Sequence, residues 1–241
     1  MKKGLTAILS LVLLLCMAVS ASAFAEPYQT GDTILLGSYE QDNDTADGAE
    51  PIEWIVLDTG EDGSLTLLSK YALDVKPYNA SYVAITWENS TLRAWLNEDF
   101  LNTAFTVDEQ EKLLPSTVKN EDHPESGTEG GNDTQDRVYL LSIDEACDYY
   151  SAKEVYSIFT DNASRMCVPT AYAIAQGALV SASATNDDSV TCWWWLRSIA
   201  DYSGGAMFVN NIGIVTAGAG YGGNRVSNDM YCIRPVIRIL P

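Results

Sequence analysis

Histidine is nearly missing. The 241-residue chain has one, His123, in an acidic stretch beside Pro124. Ser-His-Asp chemistry needs a firmly positioned imidazole, and a zinc hydrolase draws most of its ligands from histidine. One histidine in a polar loop serves neither, so both are set aside. Bases are scarce as well: 14 Lys and Arg stand against 33 Asp and Glu. Nucleic acid and anionic lipid are held by a positive field, which this chain lacks. No two cysteines form a C-x-x-C pair, which argues against a redox centre or a zinc knuckle. After the first 25 residues no apolar run is long enough to span a bilayer, so membrane insertion is not expected.

The first 25 residues are read as a secretory signal peptide. Lys2 and Lys3 give a positive start, Leu5 to Val19 is mostly apolar, and Ala23-Phe24-Ala25 offers an A-x-A cleavage site. Cys16 has Leu15 before it, where lipoprotein processing wants a small residue. The remainder, residues 26–241, is expected to be a single exported domain with 12 bases against 33 acids, a net charge of −21. Four cysteines remain: Cys147, Cys167, Cys192 and Cys232. An even number in an exported chain suggests two disulfides, with three pairings open; the alternative is four buried thiols.

The order of elements is strands, then helices, then strands, which is α+β. Residues 32–39 and 51–60 read as strands, and 65–74 as the hairpin partner after Gly63. Ser90 caps a helix with Leu92, Trp95, Leu96, Phe100 and Leu101 on one side. Thr106 with Glu109, and Ser142 with Glu145, are capping boxes for two more helices. The second places Ile143, Ala146 and Tyr150 on one side, with Cys147 beside them. Residues 120–136 read as a loop. Residues 168–177 read as a fourth helix started by Pro169 and closed by Gly177. Only strands and turns follow. The first and last strands could pair and bring the termini together.

Two stretches carry most of the information. "CWWWLRS" holds Trp193, Trp194 and Trp195, half of the six tryptophans. Residues 200–231 contain seven glycines, four asparagines and three tyrosines, the composition of an adaptable binding surface. The competing reading is a set of tight hairpins that need Gly and Asn for positive φ. Two acid runs lie elsewhere. One carries Glu40, Asp42, Asp44, Asp47, Glu50 and Glu53; the other, residues 121–136, is a second run of acids. "DNDTADG" is one residue off the spacing of an EF-hand loop. Charge runs are usually solvated, so no cofactor is expected and no metal ligand is named, with weak extracellular calcium binding left open.

The runs "GDTILLGSYEQD", "PIEWIVLD", "TWENSTLRAWLNEDFLNTAF", "GGNDTQDRVYLLSIDEA", "PTAYAIAQGA", "WWLRS" and "CIRPVIRI" resemble a family of secreted domains of unknown function from Gram-positive gut bacteria. The resemblance spans about residues 28–240. "WWLRS" and the closing strand in turn resemble the C-type-lectin-like fold, shared with formylglycine-generating enzymes (sulfatase-modifying-factor-like proteins) and with the variable receptors of diversity-generating retroelements. That resemblance implies an α+β fold with paired terminal strands. It implies no activity. The cysteine pair of formylglycine-generating enzymes has no match here, and the EPN, QPD and WND signatures of calcium-dependent lectins are absent.

In such a fold the closing strand runs beside central strands, so Cys192–Cys232 is the expected bridge, leaving Cys147–Cys167. Trp194 and Trp195 match the motif and are expected in the core, while Trp193 departs from it and is the candidate exposed aromatic. Arg197 and Arg234 match the motif arginines. They are expected in partly buried ion pairs or on backbone carbonyls, the alternative being a clamp for a ligand carboxylate. The receptors carry their ligand site just before the closing strand. This points to Tyr202, Asn210, Asn211, Tyr221, Asn224, Arg225, Asn228 and Asp229, with Trp193, as ligand-binding positions. The expectation is an exported binding module for a glycan, a cell-surface polymer or a protein, located outside the cell, with no catalytic residue assigned. A two-carboxylate glycan hydrolase and a structural domain without ligand are the alternatives.

Overall fold

The computed structural model describes residues 28–147, 155–182, 190–215 and 222–241. The expected signal peptide, Tyr150 and Tyr221 lie outside them.

Thr33–Tyr39 (β1) pairs antiparallel with Glu50–Thr59 (β2), and Leu65–Ser69 (β3) returns along β2 through a turn at Gly63, φ +80°. Ile52, Trp54 and Val56 are fully buried on alternate positions of β2, as period-two patterning requires. Asp74–Val75 (β4) continues the line of β3. Ser90 then caps a continuous helical run: Thr91–Trp95 (α1), a π-wound turn at Leu96–Phe100, and Leu101–Ala104 (α2). Its buried side carries Leu92, Leu96, Phe100 and Leu101, while Trp95 is half-buried.

Val107–Gln110 (α3) and Ile143–Ala146 (α4) each begin at a formed capping box, Thr106 with Glu109 and Ser142 with Glu145. Between them lie Ser116–Val118 (β5), Thr134–Asp136 (β6) and Val138–Tyr139 (β7). Asn162–Arg165 (α5) follows, capped by Asp161, and then Ala171–Ala175 (α6), capped by Thr170 and closed by Gly177 at φ +101°. The last strands are Val180–Ala182 (β8), Val190–Cys192 (β9), Trp194–Ile199 (β10), Gly205–Val209 (β11), Asn224–Arg225 (β12), Cys232–Ile233 (β13) and Val236–Ile239 (β14). The α+β expectation holds.

Two five-stranded sheets result, in the orders β1-β2-β3-β14-β7 and β12-β11-β10-β13-β4. The terminal strands do not pair with each other: the β2–β3 hairpin stands between β1 and β14. A hairpin fills its own edge before a distant strand can, and β14 takes the free side of β3. Pro235 separates β13 from β14. It has no N–H to donate, so the ladder stops there, and the two halves of the closing segment enter different sheets.

The core is aromatic, and its indole N–H groups are all placed. Trp54 donates to the Leu36 carbonyl at 2.8 Å, Trp194 to Arg165 at 3.2 Å, Trp195 to Lys76 at 3.0 Å, and Trp87 to the Asp136 carboxylate at 3.0 Å. A buried indole without a partner would carry an uncompensated desolvation cost. Trp194 and Trp195 are core residues, as expected. Trp193 is not exposed. It sits between β9 and β10, half-buried against the core, with its carbonyl taking the Cys232 N–H at 2.8 Å.

Arg197, 4 % exposed, donates to both oxygens of Glu145 and to the carbonyls of Leu140 and Lys119. It therefore ties β10 to the cap of α4 and to the segment before the acidic loop. Burial works against its charge, and the Glu145 carboxylate outweighs that, so the guanidinium stays charged. Removing it strands a partly buried carboxylate. We expect Arg197→Ala to cost about 3–5 kcal/mol in urea unfolding, and Glu145→Gln, which keeps the cap, to cost visibly less. An Arg197→Ala loss under about 1 kcal/mol would show that the pair behaves as a surface bridge.

Candidate functional site

Residues 81–86 leave β4 and run against the turn that precedes β11. The Ile85 N–H donates to the Ser203 carbonyl at 3.0 Å, and the ring of Tyr82 lies beside Gly204. This brings Tyr82, 54 % exposed, next to Tyr202, 36 % exposed. The Tyr202 ring lies over Gly205, at a position a Cβ there would occupy. The exposed Arg225 places its guanidinium 5.1 Å from the Tyr82 ring centre, a cation–π distance. Burial, the neighbouring Tyr82 hydroxyl and Asp201 raise the Tyr202 hydroxyl above its ordinary range, with Arg225 pulling the other way. At neutral pH the Tyr202 phenol is therefore a protonated donor beside a cation.

A groove of about 420 Å³ opens beside this patch, lined among others by Ile85, Thr86, Asn89, Thr128, Glu129 and Ser203. Its far wall is the acidic stretch that reads from the sequence as a solvated loop. The structure corrects that reading for its inner side. His123 is 4 % exposed, its Nδ1 accepts the Ser126 N–H at 3.2 Å, and its backbone N–H donates to the Thr128 carbonyl at 2.8 Å. Gly131 seats against the Thr86 side chain, and Asn132 donates to Glu88. Hydroxyl, amide, carboxylate and apolar groups thus face one groove flanked by two tyrosine rings.

The positions expected to bind ligand do not form one surface. Tyr202, Asn224 and Arg225 gather at one end of β11, whereas Asn210 and Asn211 lie beyond its other end, about 17 Å away at strand rise. The Asn210 side chain accepts the N–H groups of Ile212 and Ile214, that of Asn228 accepts Met230 N–H, and that of Asn224 donates to the Tyr231 hydroxyl and accepts Arg225 N–H. These amides are used in turns, which is the hairpin reading of the segment. Asp229 is exposed, and Tyr221 lies outside the described residues. Tyr82 and the groove residues Ala84 and Ile85 carry no mark in the sequence, and Thr86 and Asn89 stand in the "TWENS" run without a sign of ligand contact; they gain a role only by contact with a turn more than a hundred residues later.

Arg197 and Arg234 are buried and face no groove as a clamp. Beside Arg197 is a cavity of only about 20 Å³, room for about one water. Among the described residues, the group that could hold a metal ion is Glu40, Asp42 and Glu50, whose oxygens lie within 4.8 Å of one another. One Glu50 oxygen already accepts the N–H groups of Gln41 and Asp42, and Asp44 turns to Ala46 N–H instead. Burial and the two neighbouring acids raise the Glu40 carboxyl. Glu129 is the one carboxylate among the described residues lining the groove. Among the described residues no helix is long and apolar enough to cross a membrane.

The described cysteines are buried thiols, and neither expected bridge, Cys147–Cys167 or Cys192–Cys232, is present. Cys167 stands beside Cys192, whose N–H donates to the Cys167 carbonyl at 3.0 Å.

These features define a mixed α+β domain with a groove of mixed polar and apolar lining beside a tyrosine pair. Residues 62–241 match the family described as a domain of unknown function (DUF6273), and the chain belongs to that family. No curated protein and no solved structure matches the chain. The matched span begins after β2, so β1 and β2 extend the first sheet beyond it.

Gly223 holds the Arg225 side of the patch. Its φ is +88°, and a Cβ would stand 2.5 Å from the Ala206 carbonyl oxygen. Gly223→Ala is expected to lower stability by about 1–3 kcal/mol in thermal unfolding and to increase hydrogen exchange at Val226, whose N–H donates to Gly204. Unchanged stability and protection would mean that this turn does not position Arg225.

Proposed function

We propose that the chain is an exported binding module that holds a glycan or another cell-surface polymer on the Tyr82–Tyr202–Arg225 patch and the groove beside it. The observation that carries this reading is two exposed tyrosine rings with a guanidinium over one of them, beside a groove of mixed polar and apolar lining. Tyrosine faces suit the C–H faces of sugars. Phenols, guanidinium and the side chains of Thr86, Asn89, Thr128 and Ser203 suit hydroxyls and amides. A protein partner would use the same aromatic and arginine anchors. Export rests on the N-terminal pattern of charge, apolar run and A-x-A site. The lectin-like assignment rests on the resemblance of the "WWLRS" and closing-strand motifs. Weak calcium binding, if it occurs, belongs to Glu40, Asp42 and Glu50, away from this groove's lining.

The test is retention of residues 26–241 on cell-wall, host and plant glycans, with calcium and with chelator, with released sugar assayed in the same tubes. Retention without release is expected. Tyr82→Ala and Arg225→Ala should each weaken it about tenfold while leaving thermal stability nearly unchanged. Release of sugar would favour a hydrolase. Retention that ignores both substitutions would place the ligand elsewhere.

A further inference from the structure

Three cysteines far apart in the chain converge. Cys167 follows α5, Cys192 ends β9, and Cys232 opens β13. Cys232 is the parallel partner of Trp194. The Cys192 sulfur lies 3.5 Å from the Cys167 carbonyl oxygen, and its thiol is within hydrogen-bonding reach of both other thiols. All three residues are at most 2 % exposed. Cys147 lines a different place, a groove beside Phe159, Arg165 and Val215.

A buried cation stands by the cluster. Arg234 is 3 % exposed, donates through Nε to the Ser69 carbonyl at 3.0 Å, and lies over the Trp194 ring at 5.2 Å. Its Nη1 has no hydrogen-bond partner, and no carboxylate pairs with it among the described residues. Burial holds the Cys167 and Cys192 thiols well above their ordinary range, and Arg234 partly offsets this. Cys167 and Cys192 are therefore protonated when the site is closed, beside a positive charge that favours a thiolate once the segment opens.

We propose that Cys167, Cys192 and Cys232 are one cross-linking site, with Cys192 as the shared partner, that reacts with a low-mass disulfide to close a single buried bond. The Cys192 thiolate attacks one sulfur of RS–SR, forming Cys192–S–SR and expelling RS⁻. Cys232 gives its proton to solvent and attacks the Cys192 sulfur, forming Cys192–Cys232 and expelling the second RS⁻. Both leaving thiolates take up protons. Two cysteines are oxidised and one disulfide is reduced to two thiols. Cys167 takes the place of Cys232 when that thiol is removed. Burial makes the reaction depend on opening of the closing segment, so mild denaturant speeds it.

The experiment treats the reduced full chain with oxidised glutathione in mild urea, blocks remaining thiols, and maps linked peptides by mass. One internal bridge containing Cys192 is expected, with an intact mass lower by about 2 Da. Cys232→Ser should give Cys167–Cys192, and Cys192→Ser should give no bridge. A Cys147–Cys167 link, two bridges per chain, or glutathione adducts without an internal bridge would each overturn the proposal. The unsubstituted chain alone separates these outcomes, should a variant fail to fold.

Discussion

One two-stranded ribbon runs through the whole molecule. Residues 65–75 and 232–239 lie antiparallel, with Leu65 opposite Ile239 and Leu68 opposite Val236 in one sheet, and Asp74 opposite Ile233 and Val75 opposite Cys232 in the other. Across the break at Pro235 the pairing persists through Ser69 N–H to the Pro235 carbonyl and Leu73 N–H to the Ile233 carbonyl, each 2.9 Å. In the first sheet the ribbon is internal, with β3 and β14 between β2 and β7, whereas in the second β13 and β4 form one edge. Neither sheet is complete without strands from both ends of the ribbon, so both inherit one long loop-closure cost and one cooperative fate.

The rest of the architecture hangs on that ribbon. β10 pairs with β13 on one side and β11 on the other, and β11 carries β12. Tyr202, in the β10–β11 turn, and Arg225, on β12 three strands from β13, therefore stand on a rigid support built out from the ribbon. The other half of the patch has a different anchor. Residues 81–86 are held at one end by β4 and at the other by Trp87, whose indole donates to the buried Asp136 that also pairs with Arg93. Tyr82 and Tyr202 meet because two independently anchored segments converge.

Local signals in the sequence were reliable where a few neighbouring residues decide the outcome. The Thr106–Glu109 and Ser142–Glu145 boxes, the Gly63 hairpin, the Ser90 cap and the buried alternation of β2 all formed as read. Non-local outcomes were not legible. Trp193 departs from strand alternation because the chain switches sheets between β9 and β10. Pro235 could be seen, but not that it would divide one strand between two sheets. Tyr82 stands in "SYVAIT", which reads as a lead-in to a helix, and His123 stands in a polar run that folds inward. The asparagines of residues 210–228 matched a binding composition equally well as they matched turns, and composition alone does not choose between them.

Native-state hydrogen exchange measures the ribbon directly. If it joins both sheets, the amides of Leu73, Ser69, Cys232 and Leu114, which donate to Ile233, Pro235, Trp193 and Arg238, exchange through one global opening with the same free energy and the same denaturant dependence. Two separable openings, one for each sheet, would contradict the account and divide the chain into independently stable halves.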